Sequence, residues 1–283
     1  MNKLYLCLLL FFLWGTHTAT AADMTLIQSQ LTLKQFAALE TRLNEAQRLF
    51  ERGELSEDEL VEHYQAFYTL DEHQAAALQE WTSQYPESYA AHLARGIYWV
   101  YAGSNARGIE GIDQTSEEQF SQMKRLFSLG SAELETSLAL TAKPLLSYYY
   151  LMIVSLAYGD QADSLALLDK SARIYPENYL VRSRYMLSLT PRWGGSHEQM
   201  ARFLSKTQEQ GVEQEVLNGL EALLHNEIGS THEMHGKHSA AERAYQKALV
   251  LGRQARADFT LYWLQDAYQY LCVSRQAGEA YCS

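Results

Sequence analysis

Proline and cysteine are scarce in this chain, with 4 prolines and 3 cysteines in 283 residues. So few prolines leave long stretches without a helix breaker. Three cysteines are too few for a disulfide-stapled miniature fold. β-branched residues are sparse, and no stretch alternates apolar and polar side chains for long enough to make a strand, which excludes a sheet-built protein. Basic residues are also short: 23 Lys and Arg stand against 34 Asp and Glu, a formal net charge of −11. Nucleic acid is thereby excluded as a partner, because affinity for a polyanion needs clustered cations. The same balance gives no pull towards an anionic membrane and favours solubility. Nothing pairs a nucleophile with a base. Acidic pairs such as Asp58 with Glu59, or Glu117 with Glu118, sit at helix starts, where they complement the macrodipole without any catalytic role.

What is abundant favours helix. Ala, Leu, Gln, Glu, Lys and Arg recur, residues that lose little rotamer freedom in a helix, and 47% of the chain is hydrophobic, enough for a substantial core. The N-terminus reads as an export signal: Lys3, an apolar run from Leu4 to Trp14, then the small-residue site Ala19-Thr20-Ala21. The run is shorter than the roughly 20 residues that a membrane span needs, so cleavage would leave residues 22–283 as one helical domain without a transmembrane segment. Cys7 would depart with the signal. Cys272 and Cys282, 10 positions apart, then form an even pair and a disulfide candidate in an oxidising compartment, periplasmic or secreted.

Apolar spacings of three and four place Phe36, Leu39, Leu43, Ala46 and Phe50 on one helical face, stopped by Gly53. Ser56 with Glu59 is a capping-box pattern opening a second helix to about Tyr68. Further helices are expected over 71–84, 88–101, from 115, 131–142, 145–158, 161–174, 177–189, 196–210, 213–227, 230–236, 238–252 and 257–274. Residues 103–114, with three glycines, read as the longest irregular stretch. The 145–158 segment is apolar nearly all round, which predicts burial on several sides.

Repeats are eroded but present. Tyr85-Pro86-Glu87-Ser88-Tyr89 returns as Tyr175-Pro176-Glu177-Asn178-Tyr179, and Pro144 lies 32 positions before Pro176, close to the period of about 34 residues of tetratricopeptide repeats. Gly229, Gly236, Ala241, Tyr245 and Ala248 resemble a tetratricopeptide unit, although His232 stands where an aromatic is usual and the closing proline is missing. Thr190-Pro191-Arg192-Trp193-Gly194-Gly195-Ser196-His197-Glu198-Gln199-Met200, with Ala94-Arg95-Gly96 and Ala106-Arg107-Gly108, is similar to the bacterial family called domain of unknown function 4034, itself tetratricopeptide-like. That resemblance spans about residues 70–270 and implies an architecture, an all-α solenoid of stacked helical hairpins, with no activity attached.

Two local clusters are candidate sites. Arg192, Trp193, Gly194 and Gly195 are either a ligand-facing loop, with an aromatic platform and glycine amides for an anion, or a tight turn with Trp193 buried and Ser196 capping the next helix. Arg107 is a further candidate binding residue. His232 and His235, three apart beside Glu233, are candidate metal ligands, set against surface histidines in a turn; the His-Glu-x-x-His zinc motif is one residue short here. No cofactor is implied. The expected function is a protein-interaction or envelope-assembly module with a protein or peptide partner. The alternatives are an enzyme or metal-binding protein using the 103–114 loop, the Arg192-Trp193 turn or the histidines, and a neutralising partner of another secreted protein.

Overall fold

The computed structural model of the protein describes residues 21–108, 114–255 and 264–274. Among them there are helices and turns and no strand, so the fold is all-α, a stack of helical hairpins. Most of the segment read as an export signal, residues 109–113 and Cys282 lie outside the described residues. Three helices form an N-terminal strap: α1 (Ala21–Thr32), α2 (Phe36–Glu51) and α3 (Glu57–Tyr64), which ends in a 3-10 turn at Gln65–Phe67. The stack follows with α4 (Glu72–Gln84), α5 (Tyr89–Arg107), α6 (Glu117–Ser137), α7 (Leu145–Tyr158), α8 (Gln161–Ile174) and α9 (Tyr179–Ser188). After a 3-10 turn at Pro191–Trp193 come α10 (His197–Glu209), α11 (Gln214–Met234), α12 (His238–Gly252) and α13 (Gln265–Tyr268), which runs on as a π-helical turn.

Local chemistry starts these helices where the sequence pattern says. Ser56 with Glu59, Asp71 with Gln74 and Ser116 with Gln119 form reciprocal capping boxes, each satisfying two amide donors that a helix start leaves unpaired. Two expected breaks are absent. Residues 103–107 continue α5, and α11 runs unbroken through Gly229. Both glycines serve packing rather than turning: a Cβ on Gly103 would stand 2.6 Å from Phe127 Cδ1, and one on Gly229 would stand 2.5 Å from Tyr245 Cδ1. Tyr245 fills the gap that Gly229 leaves, which is the helix pairing expected of the tetratricopeptide-like unit. The expected stop after Ala142 comes earlier, at Ser137, and α1 is a helix where none was expected.

The odd-numbered helices of the stack pack directly on one another, α5 on α7, α7 on α9, α9 on α11 and α11 on α13. The even-numbered ones stand apart, with grooves between α6 and α8 and between α8 and α10. Unequal spacing bends the stack, so the odd layer is the inner side of the curve. That inner side is covered by the strap. Tyr68 lies flat on Tyr101 of α5 with its hydroxyl 2.8 Å from that of Tyr150 of α7, and the strap also reaches the even helices, where Phe36 stacks on Trp81 of α4 and Phe50 meets Tyr175, at the end of α8, edge-on. Burial pushes the Tyr68 and Tyr150 hydroxyls well above their usual range, so they pair as neutral groups. Helix α7 is therefore buried on several sides, as its composition predicts, and opens to solvent only towards its C-terminal end at Tyr158.

Polar contacts fix where the strap sits. Because antiparallel even helices separate them, α5, α7 and α9 point the same way and present their positive N-terminal ends along one edge. Strap carboxylates line that edge. Glu40 Oε1 accepts from Ser88 Oγ at 2.6 Å and from Trp81 Nε1 at 2.7 Å, at the start of α5. Glu51 accepts from the amide of Lys143 at 3.2 Å and from the Thr141 hydroxyl, at the approach to α7. Burial alone would raise the Glu51 carboxyl, but hydrogen bonds from Gln47, Thr141 and the Lys143 backbone outweigh it and hold the group below its ordinary value. Glu57, only 5% exposed, accepts from the amides of Tyr179 at 3.0 Å and Leu180 at 2.8 Å. Asn178, the residue preceding α9, supplies no side-chain cap; the cap comes from 122 residues away.

A second polar cluster ties α4, α5 and α6 together. His92 reaches Glu133 at 2.7 Å and the Pro86 carbonyl at 3.0 Å, while Arg95 donates to the same Glu133 at 2.6 Å. The hydrogen bond to Glu133 raises the His92 pKa, and burial opposes it less strongly.

Two stability measurements follow. Glu57→Ala strands two buried amides and should cost about 2–4 kcal/mol in denaturant unfolding, whereas Glu118→Ala, exposed at the start of α6, should stay within about 0.5 kcal/mol; equal effects would show that the cap is idle. His92 has a folded pKa above its unfolded value near 6.5, so its contribution is complete below that value and fades as pH rises through the folded pKa. The stability gap between the native chain and His92→Gln should therefore shrink between about pH 5 and about pH 9, and a constant or widening gap would contradict the pairing.

Candidate binding surfaces

The Arg192 turn combines features of both its sequence readings. Gly194 has φ +81° and Gly195 is packed so closely that a Cβ would stand 2.1 Å from the Leu189 carbonyl oxygen. Ser196 accepts from the Gln199 amide and starts α10. The amides of Gly194 and Gly195 are spent within the turn, on the carbonyls of Pro191 and Thr190, so they do not point at an anion. Trp193, in contrast, is 45% exposed rather than buried. It edges a cleft of about 270 Å³ lined also by Arg184, Arg192, Asn226, Glu227 and Asp266.

Charges in the cleft are mutually engaged. Arg192 stands 3.3 Å from Glu227 and 4.0 Å from Asp266, and Arg184 donates to the Tyr149 hydroxyl at 3.1 Å while lying over that ring. Burial raises the Glu227 pKa, with Asp266 adding to the effect and Arg192 opposing it. Arg107 is not part of the cleft; it ends α5 and donates to the Gly108 carbonyl at 3.1 Å. The sequence-predicted binding residues therefore separate, with Arg192 and Trp193 together and Arg107 elsewhere.

His232 lies in the last turn of α11 and His235 caps that helix, its Nδ1 2.7 Å from the Thr231 carbonyl. Among the described residues no three His, Cys, Asp or Glu side chains are grouped to hold a metal ion. Cys272 packs against the hydrophobic core. No described helix is long and apolar enough to cross a membrane.

Sequence reasoning missed the grooves of the outer layer. Between α8 and α10 a groove of about 330 Å³ has a floor of Leu165, Leu168, Tyr185 and Phe203, with Arg202 and Lys206 on its rim. Between α6 and α8 another, of about 390 Å³, is floored by Leu151 and Val154 and edged by Tyr158, Glu135, Asp160 and Asp163. Leu165 is 38% exposed and Tyr158 46%. The available signal was the width of the apolar surface on α8, where Leu165, Leu167 and Leu168 cover more than the one face a two-layer stack buries. A wider trough of about 670 Å³ lies along the strap, lined by Ala46, Leu49 and Leu55. Asp23 and His63, which also line it, have further partners.

A family model described as domain of unknown function (DUF4034) matches residues 23–171. The matched segment takes in the strap and runs to α8; it begins earlier than the resemblance placed it, and ends before the Thr190–Met200 motif. No curated protein and no solved structure matches the chain.

If the Arg192 turn is held by its glycines, Gly195→Ala should cost roughly 1–3 kcal/mol by overpacking, and Trp193→Ala should stay within about 0.5 kcal/mol. Thermal and denaturant unfolding of both variants decide it; a large loss from Trp193→Ala alone would mean that the ring is part of the core.

Proposed function

The chain belongs to the domain of unknown function 4034 family, and from that premise we propose that it is an exported protein-interaction module of the cell envelope, taking its partner on the outer grooves that flank α8. Export is supported by Lys3, the apolar Leu4 to Trp14 run and the Ala19-Thr20-Ala21 site. The same compartment supports a Cys272–Cys282 disulfide closing the C-terminal tail.

One observation carries the choice of surface: the inner face of the stack is filled by the strap, while the outer grooves expose Leu165 and Tyr158 between charged rims. Helical-repeat proteins offer extended surfaces to partners, and here the inner one is already occupied by aromatic and carboxylate contacts of the chain itself. Exposed apolar side chains framed by charge are the pattern of a surface that desolvates on docking. The acidic net charge directs the partner away from nucleic acid and towards protein.

Site-specific photo-crosslinking in intact cells tests this reading. A photoreactive residue at position 165 or 158 should give discrete adducts, while one at position 33, where Leu33 is 64% exposed on the strap, should not. No adduct from 165 and 158, or the same smear from all three positions, would refute it.

A further inference from the structure

We propose that the outer face around α8 is an interface with a second copy of this chain, formed about a two-fold axis running along α8. This rests on the reading above and names the partner of the same grooves. The two grooves carry opposite charge. On the α10 side, Arg202 and Lys206 are exposed over the apolar floor. On the α6 side, Glu135, Asp160 and Asp163 are exposed in the same way. One opposing charge in each, Asp169 in the first and Lys170 in the second, leaves both signs intact. Arg202 pairs within its own helix, with Glu198, and Lys206, Glu135 and Asp163 make no ion pair among the described residues.

The arrangement of these charges selects one geometry. A two-fold axis along α8 turns two copies face to face and exchanges left with right, so the basic groove of each meets the acidic groove of the other. An axis across α8 in the same plane would set acid on acid and base on base. The contact is isologous, so every complementary pair is made twice. Between the grooves, Ser164 and Ser171 of α8 are buried while Ala162 and Ala166 are exposed. The two exposed alanines allow the two α8 helices to approach closely, with Leu165 of each copy buried beside them. Local complementarity must outweigh the general repulsion between two chains of net charge −11, which is why the pattern of charge rather than its sum decides the contact.

Sedimentation velocity of the full chain tests the proposal. The wild type should show a concentration-dependent monomer–dimer equilibrium. Arg202→Glu with Lys206→Glu, and separately Glu135→Lys with Asp163→Lys, should each weaken it by about tenfold or more, and an equimolar mixture of the two double variants should recover a dimer containing one of each. A wild type that stays monomeric, a double variant that dimerises like the wild type, or a mixture that stays monomeric overturns the interface. Circular dichroism checks the fold of each variant; should one lose its helical signal, Ala166→Glu reads the same contact at its ridge and must also abolish the dimer. A crosslink from position 165 to a different protein, together with a monomeric wild type, would overturn the second copy while leaving the interaction module standing; an adduct of twice the chain's mass supports both.

Discussion

Glu57 accepting the first amides of α9 from 122 residues away is the contact on which the rest of the architecture turns. A curved stack of hairpins sets its inner helices parallel and leaves their N-terminal ends, with unpaired amides and partial positive charge, along one edge. In a simple repeat each of those ends would be capped from its own sequence. Here α9 and the approach to α7 are served by Glu57 and Glu51 of the strap, while the serine that caps α5 is held by Glu40. The same logic continues beyond the strap, where Glu177 accepts from the Glu213 amide that opens α11. Electrostatics positions the strap, and burial of Phe36, Phe50, Tyr64 and Phe67 supplies the larger share of its stability.

Filling the inner face changes what the fold can do. The aromatics that a helical solenoid would offer to a peptide, Tyr68, Tyr101 and Tyr150 among them, are committed to one another. A strap bound this way resembles a ligand that is part of the chain, with its cost of association already met by covalent connection. The surface proposed for recognition is therefore the outer layer, where the helices diverge and leave grooves. The charges of those grooves sit on exposed helix faces and cost the fold little to keep.

Much of the architecture is legible in the sequence, and the failures have physical causes. The bounds of α7, α8 and α12 follow from Pro144, the apolar spacing and the turn at Gly236. Gly103 and Gly229 mislead because a glycine inside a helix and a glycine that ends one look alike; only the partner ring, Phe127 or Tyr245, tells them apart. Helix α1 escapes notice because its apolar residues do not keep to one face, Leu26 being exposed while Ile27 and Leu31 are buried, and because it adjoins a segment read as a cleaved signal. At the candidate sites the Arg192 turn was visible from its two glycines, yet the exposure of Trp193 depends on α11 and α13, which no local pattern reports. The strap carboxylates were invisible for a similar reason. Glu57 reads as one more acid in a helix's first turn, and its true partners are amides that every residue carries.

Native-state hydrogen exchange is the most direct measure of whether the strap is an integral part of the fold. If its carboxylates hold the N-terminal ends of the inner helices, the amides of Tyr179 and Leu180 and those in the centre of α2 should exchange only through global unfolding, with a common free energy and a common denaturant dependence. Exchange of α2 at a much lower free energy, with α5, α7 and α9 still protected, would show a strap that detaches on its own and an inner face that opens to solvent.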